Sequence, residues 1–389
     1  MFFFEFRTYA QMIRLALAER PTKSRRRLVI LLAIAIPLVA AVNAVCMLLD
    51  YLLFPAFVRT PIRAPVFIVG HARSGTTLLH QLLSRDSERF SVFLTWELLF
   101  PSILQKKLVR FLGRLDQRLL GGRIDRRIRA WEDRTFAAGR KMHPMSLTGP
   151  EEDEFVLAPS CASGVWVLVF PYWRELQHLY YTDDMVPSRR RRLMRFYRAC
   201  VQRQLYLNGG NKIHLSKNPT FSGKVASLIE TFPDARFVVC MRSPYETIPS
   251  LLKMMTRNWK AGRCSPERID ESRRLLAEQS FHTYLHPFEV LAEHPETRWI
   301  AVDYRDLVET PKRTVEAVYD ALDMPVSALY AATLIAEETR SRAHRTEHVY
   351  SLGEFGLERG EIKARLSDLF ERYRWDPPED SVEPEAREA

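Results

Sequence analysis

The sequence predicts an α/β protein: a central parallel sheet flanked by helices, preceded by an N-terminal membrane helix. Three observations carry this. Residues 65–85 and residues 235–250 each read as an apolar run, a tight polar turn and a helix, which is how parallel sheets are built. Residues 28–49 form an uncharged, mostly apolar run of 22 residues. The 389-residue length suits one α/β domain with helical insertions, and no internal repeat divides it. The expected organisation is a basic amphipathic segment (1–27), a membrane helix (28–50), a linker (51–64), a catalytic-type domain (65–375) and a disordered acidic tail (376–389).

The first segment mixes Phe and Leu with Arg7, Arg14 and Arg20, a pattern suited to an interfacial helix. The apolar run that follows covers roughly 33 Å as a helix, enough to cross a hydrocarbon core. Lys23 and Arg25 to Arg27 precede it, which by the positive-inside rule leaves the N-terminus in the cytosol and the domain outside, as in a Golgi lumen. Pro37 and Asn43 allow a bent, monotopic insertion instead, with the domain on the cytosolic face. The cytosolic placement is the expectation. It agrees with five cysteines lacking metal-ligand spacing, which read as buried free thiols, and no unblocked N-x-[ST] acceptor marks a lumenal protein.

Val66 to Val69 lead into Gly70-His-Ala-Arg73-Ser74-Gly75-Thr76-Thr77, after which Leu78, Leu79, Leu82 and Leu83 recur at helical spacing. The N–H groups of a helix start lack partners and carry partial positive charge, so this turn suits an anion. Gly70 and Gly75 let the backbone approach it, Ser74, Thr76 and Thr77 offer hydroxyls, and Arg73 supplies a planar cation. The spacing is that of a nucleotide-triphosphate loop, yet Thr76 stands where that motif requires Lys. The anion expected is therefore not a magnesium-bound triphosphate, and no metal is expected.

Phe90 to Pro101 reads as a second strand carrying Glu97, a candidate general base. Glu151 to Glu154 form a rival cluster, with Glu152 the second choice; proline followed by acids is also an ordinary helix start. His71 and His143 are weaker candidates. Lys106 to Arg118 repeats a basic residue every four positions, with leucines largely on the other face, as a helix on an anionic membrane would. Ser188 begins another helix as its candidate cap, ending near Gly209 and Gly210. Lys212 to Lys217 is a short strand ending in a polar turn.

Gly70-x-x-Arg73-Ser-Gly-Thr-Thr77 resembles the 5′-phosphosulfate loop of sulfotransferases that use 3′-phosphoadenosine 5′-phosphosulfate (PAPS), in the Arg form of the bacterial and tyrosylprotein branches. Arg242 at a strand end and Ser250 eight residues on are similar to that family's grip on the 3′-phosphate. The resemblance covers residues 65–373. It implies a P-loop-like sulfotransferase fold, with Gly70, Arg73, Ser74, Gly75, Thr76, Thr77, Arg242 and Ser250 holding PAPS. It further implies Glu97 as base and Lys217 beside the departing phosphate, where a fixed cation stabilises developing charge. The acceptor hydroxyl or amine is left open, a membrane lipid or glycan being favoured. The net charge of +10 fits a nucleotide donor and a bilayer, whereas no nucleic-acid signature appears. A nucleotide kinase or a non-catalytic nucleotide-binding membrane module are the alternatives. Residues 345–357 resemble a late loop over the nucleotide.

Overall fold

The computed structural model describes residues 2–19, 21–136, 146–341 and 352–376. His143, most of the late loop and nearly all of the acidic tail lie outside the described residues.

Five parallel strands form one sheet in the order β2-β3-β1-β4-β5: β1 (Val66–Gly70), β2 (Phe90–Ser91), β3 (Ile213–Lys217), β4 (Arg236–Met241) and β5 (Trp299–Asp303). Every residue of β1 is buried, as a central strand covered on both faces must be. Its alternation decides which layer each side chain joins. Phe67 and Val69 pack with Phe237, Phe281 and Tyr284, whereas Val66 and Ile68 pack with Leu79, Leu83, Val315 and Val318. Ile68 pairs with Lys217 and Gly70 with Cys240, so the loops after β1, β3 and β4 meet at the carboxyl edge, where open α/β sheets bind ligands.

In chain order the helices named below are α1 (Phe6–Ala18), α2 (Lys23–Leu53), α3 (Thr76–Ser84), α4 (Ile103–Leu119), α5 (Arg123–Phe136), α6 (Trp166–Val169), α7 (Trp173–Leu176), α8 (Pro187–Leu207), α9 (Val225–Thr231), α10 (Pro244–Ala261) and α11 (Pro266–Glu293). Helix α8 starts on Pro187 with Val186 at its cap, so Ser188 is not the capping residue expected, and the chain leaves it through Gly209 and Gly210 at positive φ.

One strand expectation needs correction. The second strand stops at Ser91, because Phe93 O accepts from Glu151 N, Leu94 forms an isolated antiparallel bridge to Pro150, and Thr95–Leu99 winds into a 3-10 turn. Glu97 thus sits in a turn rather than at a strand end. Helix α2 is the one described helix long and apolar enough to cross a membrane. It extends beyond both ends of the apolar run read from the sequence, and one stripe of it packs against the domain.

Candidate active site

The turn after β1 is shaped by two glycines with little freedom to change. A Cβ on Gly70 (φ +125°) would lie 2.3 Å from the Cys240 carbonyl oxygen, so any side chain would separate β1 from β4. Gly75 (φ +87°) caps α3, and a Cβ there would lie 2.7 Å from the Tyr304 ring. Arg73 also takes positive φ, at +75°. Ser74 is buried, and its hydroxyl donates to the His71 carbonyl at 2.5 Å, so in this structure it braces the turn. Thr76 and Thr77 open α3, where the helix N–H groups lack intrahelical partners.

The two anion loops meet. Arg242 donates to the Arg73 carbonyl at 3.3 Å, and Arg73 Nε donates to Ser250 Oγ at 3.3 Å. The Arg242 guanidinium stacks 4.1 Å above the Tyr304 ring and is held by Glu246 one helical turn on. Lys217, at the end of β3 and 1 % exposed, lies 3.5 Å from Thr77 Oγ1 and 2.8 Å from Glu152 Oε1. Three cations from three adjacent strand ends therefore surround one small-residue turn.

The segment after Pro150 presents Glu152 to this point. Asp153 is buried and accepts from Ser216 Oγ (2.8 Å), His214 Nε2 (2.9 Å), Asn218 and Tyr197. Burial pushes its carboxyl up, but bonds from His214, Tyr197 and Asn218 outweigh that and hold it below the ordinary carboxylate range. Glu154 is fixed by Thr220 Oγ1 (2.7 Å) and Lys224. Glu151, Glu152 and Glu154 all line a cavity of about 330 Å³, and of these Glu152 is the one in direct contact with Lys217 at 2.8 Å.

That cavity is apolar over most of its wall. Arg73, Thr76, Thr77 and Glu152 border it, and the rest includes Val165, Leu168, Leu251, Met254, Met255 and Trp173. His71 also lines it. Burial drives the His71 pKa down to about 4, so the ring is neutral at pH 7; it stacks on Tyr284 with centroids 5.1 Å apart.

The structure places Glu97, the base expected from the sequence, away from this cavity. It is fully buried outside the cavity lining, with Oε1 2.8 Å from Arg110 and Oε2 accepting from Gln204 Nε2 (2.7 Å) and Leu94 N (3.1 Å). Gln204 also takes Lys106 Nζ at 2.6 Å, and burial lowers the Lys106 pKa to about 8 despite the Glu97 charge. This network joins the Thr95–Leu99 turn, α4 and α8. Among the described residues no cluster of His, Cys, Asp or Glu suits a metal.

Compared with known proteins, residues 65–328 match the sulfotransferase family. The chain belongs to that family, and membership implies PAPS as sulfuryl donor. It is 27% identical over 332 residues to the omega-hydroxy-beta-dihydromenaquinone-9 sulfotransferase Stf3 of Mycobacterium bovis, covering 80% of this chain and 75% of that one. The Stf3 of Mycobacterium tuberculosis matches equally. Among solved structures, the sulfotransferase STF9 of Mycobacterium avium superposes with a TM-score of 0.71 at 20% identity, over 95% of this chain and 92% of the other. STF1 of M. tuberculosis gives 0.65 at 19% identity, over 93% and 92%. At these identities the two structures speak for the fold alone.

The residues present fit the donor. The N–H groups at the start of α3 and the cations of Arg73, Lys217 and Arg242 around the turn are the donor set that a phosphosulfate calls for.

Proposed function

We propose that this sulfotransferase moves the sulfuryl group of PAPS to a hydroxyl carried by an apolar, lipid-like acceptor at a membrane, with its catalytic domain facing the cytosol. The observation that carries the reading is the Lys217–Glu152 contact of 2.8 Å, which stands where the anion turn meets an apolar cavity. When bound, PAPS supplies an activated sulfuryl group whose transfer leaves negative charge on a phosphate.

Arg73, the α3 N-terminus and the Thr76 and Thr77 hydroxyls hold the 5′ end, and Arg242 with Ser250 holds the 3′-phosphate. Glu152, rather than Glu97, takes the acceptor proton as the acceptor oxygen gains its bond to sulfur. Glu97 is the poorer base because both its oxygens are committed to Arg110, Gln204 and the Leu94 amide. The Lys217 ammonium has three hydrogens. It can keep Glu152 and still direct another toward the anion turn, stabilising charge as it grows on the departing phosphate. No step calls on a metal.

The apolar wall and the Stf3 relative both support a hydroxyl at the end of a hydrophobic chain, for which a terminally hydroxylated prenyl quinone is the natural probe. Free cysteines throughout support the cytosolic side. The test supplies sulfur-labelled PAPS and that quinone, dispersed in detergent, to the purified chain and identifies the labelled product by mass. Label in a sulfate ester of the quinone is expected. Label on protein tyrosine or glycan alone, when whole membranes are supplied, would overturn the acceptor class.

A further inference from the structure

Helix α2 has the composition of a membrane span but not the contacts of one. Its inner stripe, Arg25, Val29, Ile36, Ala40, Asn43, Met47 and Asp50, is buried against the domain. Three of these are polar and held. Arg25 donates to the Gly262 carbonyl at 2.9 Å. Asn43 donates to the Leu99 carbonyl (3.3 Å) and accepts from Gln105 Nε2 (2.8 Å). Asp50 pairs with Arg203 at 2.7 Å, both side chains fully buried, and also accepts from Ser102 Oγ at 2.8 Å and Leu104 N at 2.9 Å.

From Arg25 to Asp50 the helix runs roughly 38 Å, more than the thickness of a hydrocarbon core. If α2 spanned, either the domain elements beside it would enter the hydrocarbon or the helix would peel away and leave Arg203, Arg25 and Asn43 unpaired. The outer stripe is the reverse: Ile34 (64 %), Leu38 (62 %) and Leu48 (70 %) are exposed.

A second region has the same character. The hairpin of α4 and α5 leaves Phe111, Leu112 and Leu119 exposed on one helix and Ile124, Ile128 and Trp131, spaced four and three apart, on the other. Residues 103–136 carry ten Lys and Arg against four Asp and Glu, which suits anionic headgroups. The α4 N-terminus is fastened to α2 through the Asp50 and Asn43 contacts, so the two apolar surfaces belong to one body.

We infer that the outer face of α2 and the apolar face of the α4–α5 hairpin lie together in one leaflet of an anionic bilayer, without crossing it. The inference rests on the lipid-like acceptor proposed above and states how the enzyme reaches it. The bilayer is the occupant; a second copy of the chain is the competing one.

The test uses the full chain on vesicles of equal parts phosphatidylcholine and phosphatidylglycerol. In a Cys46→Ala, Cys264→Ala background, which removes both half-buried thiols, an environment-sensitive probe is attached at Ile34→Cys, Leu38→Cys or Leu48→Cys and its depth read with brominated lipids. Equal shallow depth at all three positions is expected. A graded profile, with Leu38 near the midplane and the other two toward opposite faces, would overturn the inference. So would failure to bind these vesicles together with a dimer in solution. Phe111→Glu with Leu112→Glu should lower vesicle partition by about 10-fold or more, with transfer to detergent-dispersed quinone unchanged. Unchanged partition would count against the hairpin's part. Because the detergent assay needs no bilayer, vesicle binding without transfer sinks the acceptor reading alone, and transfer without vesicle binding sinks the surface alone.

Discussion

The Thr95–Leu99 turn and the Glu151–Glu154 segment each offer a glutamate to a cationic nitrogen at 2.8 Å, and what surrounds each pair sets them apart. Around Glu97 the partners are structural on every side, from α4, α8 and its own turn. Around Glu152 they are Lys217 on one side and the cavity on the other. A carboxylate with both oxygens engaged by structural partners holds elements together, whereas one with an open side can receive a proton.

Replacing each in turn is the sharpest way to break this contrast. Glu152→Gln is expected to lower kcat by about 10²–10⁴-fold while donor-product binding, measured by calorimetry, persists. Glu97→Gln should instead cost about 1–3 kcal/mol of stability, read as a lower Tm, with kcat of the folded protein nearly unchanged. The reverse pattern would restore Glu97 as the base. Lys217→Met should reduce kcat by about 10²–10³-fold, with a smaller change in KM for PAPS. Arg242→Ala, farther from the transferring group, should weaken binding of the 3′-phosphorylated nucleotide by about 10–100-fold and leave affinity for the form lacking that phosphate almost unaltered.

The smallest effect concerns the cavity wall. His71 is buried neutral with a pKa near 4, below the ordinary value near 6.5. Between those pH values the unfolded chain binds more protons than the folded one. Stability from this residue is therefore complete above about pH 6.5 and is lost as pH falls toward 4. His71→Gln should flatten the pH dependence of the unfolding free energy across that window by about 1–3 kcal/mol, read from denaturant unfolding at each pH, with little change at pH 8.

The anion turn and the strands on either side of it were legible because their signals are local: an apolar run, two glycines and hydroxyls within a dozen residues. Arg242 and Ser250 were read from one strand end and the helix that follows it, again a local signal. The surroundings of Glu97 could not be read in this way, because they come from Arg110 on the next helix and Gln204 much farther along the chain, which no periodicity announces. Glu152 ranked second to Glu97, since the tethering of Asp153 to His214, Ser216 and Asn218 appears only when β3 folds beside it. In α2 the apolar run hid its inner stripe. Arg25, Asn43 and Asp50 fall on one face at helical spacing, and that pattern was available in the letters.

Arg25 reaches past its own helix to the carbonyls of Gly262 (2.9 Å) and Val169 (3.5 Å), just beyond α10 and at the end of α6, the two elements that supply Met255 and Val167 to the cavity. That guanidinium ties the apolar helix to the wall of the cavity, beside the packing of α2 on Asp153–Ser160. Displacing that helix would therefore carry the wall of the cavity with it.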